Sequence, residues 1–253
     1  MDELTKLTVR AAATILDLAG KAELRSKADG SPVTAADEAA EAVICAGLQH
    51  LAPGLPIISE EQASRERPKA IERGSYFLVD PLDGTREFIA GRNEYTVNIA
   101  LMSEGVPVLG IVCAPSLGDF WRGIVGGGAD RLSLARAAAG PTPIHTRPRP
   151  PRDIAIVVSR SHLDARTRAY VGGFPQAKLV QCGSSIKFCR VAEAAADIYP
   201  RLAPTHDWDI AAGHAILTAA GGEVTAPDGS PLRYGTPDLL IPAFIASGFP
   251  IRV

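Results

Sequence analysis

Tyr76-Phe77-Leu78-Val79-Asp80-Pro81-Leu82-Asp83-Gly84-Thr85 runs an apolar stretch straight into two carboxylates three positions apart, then a glycine and a hydroxyl. The first four residues read as a buried strand, by their aromatic and β-branched content. Two aspartates crowded at a strand end repel each other unless a cation lies between them. A hard divalent ion such as Mg²⁺ suits the place, because it takes carboxylate, carbonyl and water oxygens. Pro81 stiffens the turn, so Asp80, Asp83 and the Leu82 carbonyl can face one point. Gly84 and Thr85 then open a short helix, Arg86 to Ala90, whose free N–H groups suit a phosphate. Plainer roles exist for the parts: Asp-Gly is common in turns, and either aspartate alone could cap a helix. An aspartyl-phosphate loop, Asp-x-Asp-Gly-Thr, is excluded because two residues separate these aspartates instead of one.

Working outward, more acids stand beside predicted elements. Ser59-Glu60-Glu61 closes a short strand, Pro56 to Ser59, 20 residues before Asp80. Thr34-Ala35-Ala36-Asp37 has the form of a capping box opening a helix with Ala36, Ala40, Ile44 and Leu48 on one side. Trp208-Asp209 opens an Ala-rich helix, Asp209 to Ala220, where an aspartate taken singly reads as an N-cap. Helical spacing of Leu4, Leu7, Ala11, Ile15 and Leu18 predicts a first helix that stops at Gly20. Strands are expected near Tyr95 to Met102, Val106 to Ala114 and Asp119 to Val125, in a meandering, mainly antiparallel sheet. Prolines crowd residues 141–152, which predicts a linker there with solvated arginines. The expected division is therefore an N-terminal α+β half, 1–140, and a C-terminal α/β half, 153–253. In the second half, strands at 154–158 and 223–225 alternate with helices at 164–171, 185–196 and 209–220.

Composition narrows the class. The chain has 253 residues, 46% hydrophobic and 21% charged, with a net charge of -2. That balance gives no global attraction to nucleic acid or to an anionic membrane. No apolar run reaches the roughly 20 residues that cross a bilayer. The acidic start, Met1-Asp2-Glu3-Leu4, lacks the positive charge of an export signal. Cys45, Cys113, Cys182 and Cys189 show no C-x-x-C pair, so buried free thiols are expected rather than disulfides or zinc. A cytoplasmic enzyme is the simplest expectation, as a monomer or homodimer.

With these segments in hand, the sequence resembles the lithium-sensitive, magnesium-dependent phosphatase superfamily that includes inositol monophosphatase and fructose bisphosphatase. Asp80-Pro81-Leu82-Asp83-Gly84-Thr85 is similar to its first signature, and Trp208-Asp209-Ile210-Ala211-Ala212-Gly213, running on to Gly221-Gly222, to its second. The resemblance implies a layered αβαβα sandwich of the sugar-phosphatase type with the site between two halves. It also implies two or three Mg²⁺ ions held by Glu60, Asp80, the Leu82 carbonyl, Asp83 and Asp209. Asp37 matches the acid that pairs with Thr85, so Asp37, Thr85 and Glu60 become the expected catalytic groups, with Gly84 and Thr85 on the phosphate. The capping and catalytic readings of Asp37 are compatible only in part.

Within the superfamily the chain is most similar to bacterial 3'(2'),5'-bisphosphate nucleotidases. Asp83-Gly84-Thr85-Arg86-Glu87-Phe88, Thr96-Val97-Asn98-Ile99-Ala100-Leu101, Gly183-Ser184-Ser185-Ile186-Lys187-Phe188-Cys189 and Asp197-Ile198-Tyr199-Pro200-Arg201 carry this likeness. It implies hydrolysis of adenosine 3',5'-bisphosphate, with its sulfated analogue as a further substrate. Lys187 and Arg201 would attract a second phosphate or sulfate, where inositol monophosphatases carry small apolar residues and a carboxylate. His162 and Ser184 match nucleotide-contacting positions, although a surface turn and a helix cap are ordinary roles for them. The rival readings are an inositol- or sugar-phosphate phosphatase on the same fold and a non-catalytic regulatory protein.

Overall fold

Strands covered on both faces lose the alternation of polar and apolar residues and read as continuous apolar runs. The computed structural model, which describes residues 1–21, 24–27, 30–66, 74–134, 140–150, 152–160 and 163–250, shows why this chain has such runs. Its first part comprises α1 (Asp2–Leu18), β1 (Leu24–Ser26), β2 (Pro32–Thr34), α2 (Ala35–Leu51), β3 (Ile57–Ser59), α3 (Glu60–Arg65) and β4 (Ser75–Asp83). Next come α4 (Thr85–Ile89), β5 (Thr96–Ser103), β6 (Val106–Ala114), β7 (Asp119–Ile124), β8 (Gly128–Ser133) and β9 (Thr142–Ile144). β3 to β9 form one seven-stranded sheet in chain order, antiparallel except for the β3–β4 pair.

The remainder runs β10 (Ala155–Ser159), α5 (Ala165–Gly172), β11 (Lys178–Cys182), α6 (Ile186–Ala192), β12 (Ile198–Arg201), β13 (Thr205–His206), α7 (Asp207–Ala219), β14 (Glu223–Thr225), β15 (Leu240–Ile241) and β16 (Phe244–Ser247). Five of these strands make a second sheet in the order β11-β10-β12-β16-β14. α5 and α6 supply the crossovers between its parallel strands.

Three apolar clusters define the layers. Leu7, Ala11 and Ile15 of α1 and Ala36, Ala40, Ile44 and Leu48 of α2 pack on Phe77, Val79 and Ile99. On the opposite face, Tyr76, Leu78, Val112 and Trp121 meet Ala211, Ala212 and Ile216 of α7 and Phe188 of α6. The far side of the second sheet, Ile156, Val158, Ile198 and Ile245, is covered by Tyr170 and Val171 of α5. The order is helices, sheet, helices, sheet, helix, the expected αβαβα sandwich. α7 is apolar nearly all round because it lies between two sheets. It seats close on the first: a Cβ at Gly110 would stand 2.2 Å from the Ala212 carbonyl oxygen.

Several elements depart from expectation. The helix expected over 185–196 ends at Ala192, because Ala194 turns left-handed (φ 60°) and the Ala195 and Ala196 amides both fold back on the Arg190 carbonyl. α7 starts two residues early, with His206 as N-cap, so Asp209 sits inside the first turn. β8, between β7 and β9, and β11, at the edge of the second sheet, are strands not expected from the sequence. Within the expected linker, 142–144 joins the seven-stranded sheet as β9. Arg149 and Arg152 are exposed, as expected of the linker, but Arg147 is half-buried. Arg147 forks onto the buried Asp197 carboxylate at 2.7 Å through both Nε and Nη2, and Arg149 lies 5.8 Å over the Phe249 ring.

Candidate active site

In a strand, residues three apart point to opposite faces. Asp80 and Asp83 escape that rule because the β4–β5 register slips between them. Asp80 pairs with Asn98 and Asp83 with Thr96, so three steps on β4 oppose two on β5. This extra residue, a bulge, reverses the facing of the residues beyond it. The side-chain clusters record the reversal: Tyr76 and Leu78 pack toward α7, but Leu82 packs toward α1 and α2. Asp83 thereby turns to the same cleft as Asp80.

That cleft has a volume of about 290 Å³ and brings together Glu60, Asp80, Leu82, Asp83, Gly84, Thr85, Ser184, Lys187, Arg201 and Asp209. Oxygens of Glu60, Asp80 and Asp209 lie within 4.8 Å of one another. Glu60 comes from the start of α3, Asp80 and Asp83 from the end of β4, and Asp209 from the first turn of α7. Asp209 is not the N-cap that its sequence position suggested; from the third helical position its Oδ2 reaches back to accept the His206 amide at 3.1 Å and the Thr205 hydroxyl.

Asp37 and Thr85 meet as the resemblance implied. The Thr85 hydroxyl is 3.0 Å from Asp37 Oδ1 and 3.2 Å from the Leu82 carbonyl. Asp37 Oδ2 meanwhile accepts the Thr34 amide at 2.8 Å and the Thr34 hydroxyl at 2.7 Å. Cap and cleft use different oxygens, so the two readings are fully compatible, a correction to the expectation.

Burial and, in the acid cluster, mutual repulsion raise these carboxyls above the ordinary carboxylate range. Burial raises Glu60 to about 7, partly offset by Lys27 and reinforced by Asp209. Burial, then Asp209, raises Asp83 to about 6, against the pull of Lys187, Ser185 and Arg201. Asp80 is pushed up by burial and by Glu60, Asp83 and Asp209 together. Asp37 is raised by burial, with its Thr34 and Thr85 hydrogen bonds opposing. Carboxyls raised by burial and by one another form a place that a divalent cation would relieve. The buried Asp80 Oδ2, without a hydrogen-bond partner among the described residues, fits the same demand.

The opposite wall is cationic. Lys187, buried, donates to the Ser184 carbonyl and lies 5.2 Å from the centre of the Tyr199 ring. Arg201 donates to the Pro204 carbonyl at 3.3 Å, while its buried Nε has no partner among the described residues. Ser184 adopts φ 42° and accepts from Thr96 at 3.1 Å, so it is not the helix cap that was the ordinary alternative. His162 lies outside the described residues.

Sequence reasoning missed three participants. Lys27 places Nζ 2.6 Å from Glu60 and 2.7 Å from Glu61; a lone lysine beside a short hairpin gives no signal of that. Ser185 Oγ stands 2.9 Å from both Asp83 Oδ2 and the Asp209 carbonyl, and accepts from Asn98 at 2.8 Å. Nothing marked it apart from its neighbour Ser184. Glu94 accepts the Gly183 amide at 2.9 Å, across the two layers of the fold.

Comparison with known proteins agrees with this geometry. The inositol monophosphatase family matches residues 1–248. The 3'(2'),5'-bisphosphate nucleotidase CysQ of Escherichia coli O157:H7 is 41% identical, covering 100% of this chain and 99% of its own. Among solved structures, CysQ from Bacteroides thetaiotaomicron superposes with a TM-score of 0.79 at 36% identity, covering 97% of this chain and 95% of that one. The inositol monophosphatase of Anabaena reaches 0.78 at 25% identity, covering 98% and 90%. Family members are generally Mg²⁺-dependent, in keeping with the acidic cluster. Cleft, layers and matched length make this chain a member of the inositol monophosphatase family.

Proposed function

We propose that the chain is a Mg²⁺-dependent 3'(2'),5'-bisphosphate nucleotidase that removes the 3'-phosphate of adenosine 3',5'-bisphosphate, leaving AMP and phosphate, with the 5'-phosphosulfate analogue as a second substrate. One observation carries the reading: Lys187 and Arg201 line the same cleft as the clustered acids. A neutral polyol has no use for two cations beside the acids, whereas a second phosphate or sulfate does. The curated relative from E. coli O157:H7 bears the corresponding name.

Glu60, Asp80, the Leu82 carbonyl, Asp83 and Asp209 would hold two or three Mg²⁺ ions. When bound, such ions offset phosphate charge and acidify the attacking water. The chain's own residues do the rest. Thr85 has one hydroxyl proton; given to Asp37 Oδ1, it leaves oxygen lone pairs free to accept a proton from water. Asp37, its basicity raised by burial, is then the proton sink. Glu60 offers a second acceptor. Gly84 and Thr85, lining the cleft at the start of α4, can steady the phosphate through their amides.

Mg²⁺-dependent phosphate release across nucleotide and inositol phosphates tests the proposal. Adenosine 3',5'-bisphosphate is expected to turn over faster than inositol 1-phosphate; equal or better turnover of the inositol ester defeats the reading. Lys187→Ala is expected to weaken the bisphosphate by about tenfold or more in kcat/KM, as loss of a charge-assisted contact does, while sparing the monophosphate.

An inositol- or sugar-phosphate phosphatase remains the rival on the same acids, and the two cations oppose it. A non-catalytic role has no support, since each matched acid and Thr85 is present. Among the described residues no helix is long and apolar enough to cross a membrane. Four free cysteines favour a reducing, cytoplasmic compartment.

A further inference from the structure

Between α4 and β5, Glu94 reaches out of the seven-stranded sheet's layer to the second sheet. Its Oε2 accepts from the Gly183 amide at 2.9 Å, from Arg160 Nε at 3.1 Å and from Arg160 Nη2 at 3.0 Å. Oε1 accepts from Arg160 Nη2 at 3.0 Å. Arg160 comes directly after β10 and also donates to the Gln181 carbonyl at 3.4 Å. The contact is tight on the backbone as well. A Cβ at Gly183 would lie 2.6 Å from the Glu94 carbonyl oxygen and 2.8 Å from Glu94 Cβ, so only glycine lets the two segments meet.

Both segments that Glu94 grips feed the cleft. Ser159, at the end of β10, lines it, as do Ser184, Ser185 and Lys187 after Gly183. Apart from Asp209, the acids come from the other layer. Glu94 therefore ties the wall that carries the acids to the wall that carries Lys187, beyond the Ser185–Asp83 and Thr96–Ser184 contacts deeper in the cleft.

We propose that Glu94, with Arg160 and Gly183, is a positioning residue that determines specificity for substrates long enough to touch both walls. The inference rests on the bisphosphate reading of the site. A small monoester held by the acids alone does not feel the separation. A bisphosphate, anchored at two points, does.

Steady-state kinetics of wild type, Glu94→Gln, Arg160→Gln and the double variant, on adenosine 3',5'-bisphosphate and on inositol 1-phosphate, decides the matter. Glutamine keeps an oxygen for the Gly183 amide but loses the ion pair. Each single variant is expected to raise KM for the bisphosphate about fivefold, the size of a good partly exposed pair, with kcat unchanged. KM for the monoester should stay within about twofold, and the double variant should be no worse than either single. Equal shifts on both substrates, no shift on either, or additive singles overturn the proposal; equal shifts with a lowered Tm would show a merely structural prop. A wild type without preference for the bisphosphate is a separate result: it sinks the functional reading before any variant is compared.

Discussion

Asp37 divides one carboxylate between two duties. One oxygen completes the cap of α2 through Thr34, and the other receives the Thr85 hydroxyl. The sequence offers both roles but not their division, because which oxygen faces which partner depends on the approach of β4, with Thr85 lying 48 residues on. The Asp80–Asp83 pair teaches the opposite lesson. Its chemistry is plain in the sequence, yet a spacing of three argues against a shared face, and only the register slip against β5 reconciles the two. If Thr85 hands protons to Asp37, Thr85→Val should lower kcat by about 10²- to 10⁴-fold, the usual worth of a positioned acid–base group. Mg²⁺ affinity, measured by titration calorimetry, should be little changed. A variant with near-normal kcat would remove Thr85 from the relay.

Long periodic elements were the readable ones. α1, α2 and α7 carry apolar residues at helical spacing, and β5, β6 and β7 fall within a residue or two of expectation. The short strands β3, β10 and β14 were also expected, but others escaped because their partners, not their own residues, define them: β12 reads Ile-Tyr-Pro-Arg and becomes a strand between β10 and β16. Residues 142–147 show the same effect, since a proline-rich stretch reads as a spacer until Asp197 is seen to wait for Arg147. Asp197 is fully buried, accepts the Ala155 amide at 2.7 Å and meets both Arg147 nitrogens. Arg147→Ala would strand that charge. Breaking a buried pair typically costs 3–5 kcal/mol; with Arg147 partly exposed, a loss of about 2–3 kcal/mol is expected in urea unfolding. A change under about 0.5 kcal/mol would mean that the ion pair contributes no more than an ordinary surface pair.

Across the whole molecule, the acids couple folding to protons and, on the proposed reading, to metal. Glu60 at about 7 and Asp83 at about 6 lie above the values of an unfolded chain. The folded, metal-free protein thus holds more protons than the unfolded one from about pH 4 to 7, and stability falls as pH rises through that window. Buried His214, lowered to about 4, works the other way below about pH 6.5. It packs against Tyr234 rather than in the acid cluster, so it cancels when the same pH is compared with and without metal. The rise in Tm on adding Mg²⁺ should therefore be small at pH 5.5 and large at pH 7.5, because protons and metal compete for the same oxygens. A rise independent of pH would separate the acids from the metal. Family and layering were legible from two signatures, whereas the clasp of Glu94 on Gly183 was not, since it joins positions 89 apart.

The placement of Asp209 on α7, wedged between the two sheets, bears on how the protein comes into being. On the ribosome, Glu60, Asp80 and Asp83 emerge long before the last acid is translated. If Asp209 completes the metal-holding set as proposed, a nascent or prematurely terminated polypeptide would display an incomplete set, and hydrolysis would wait until the C-terminal part has been synthesised and has packed home.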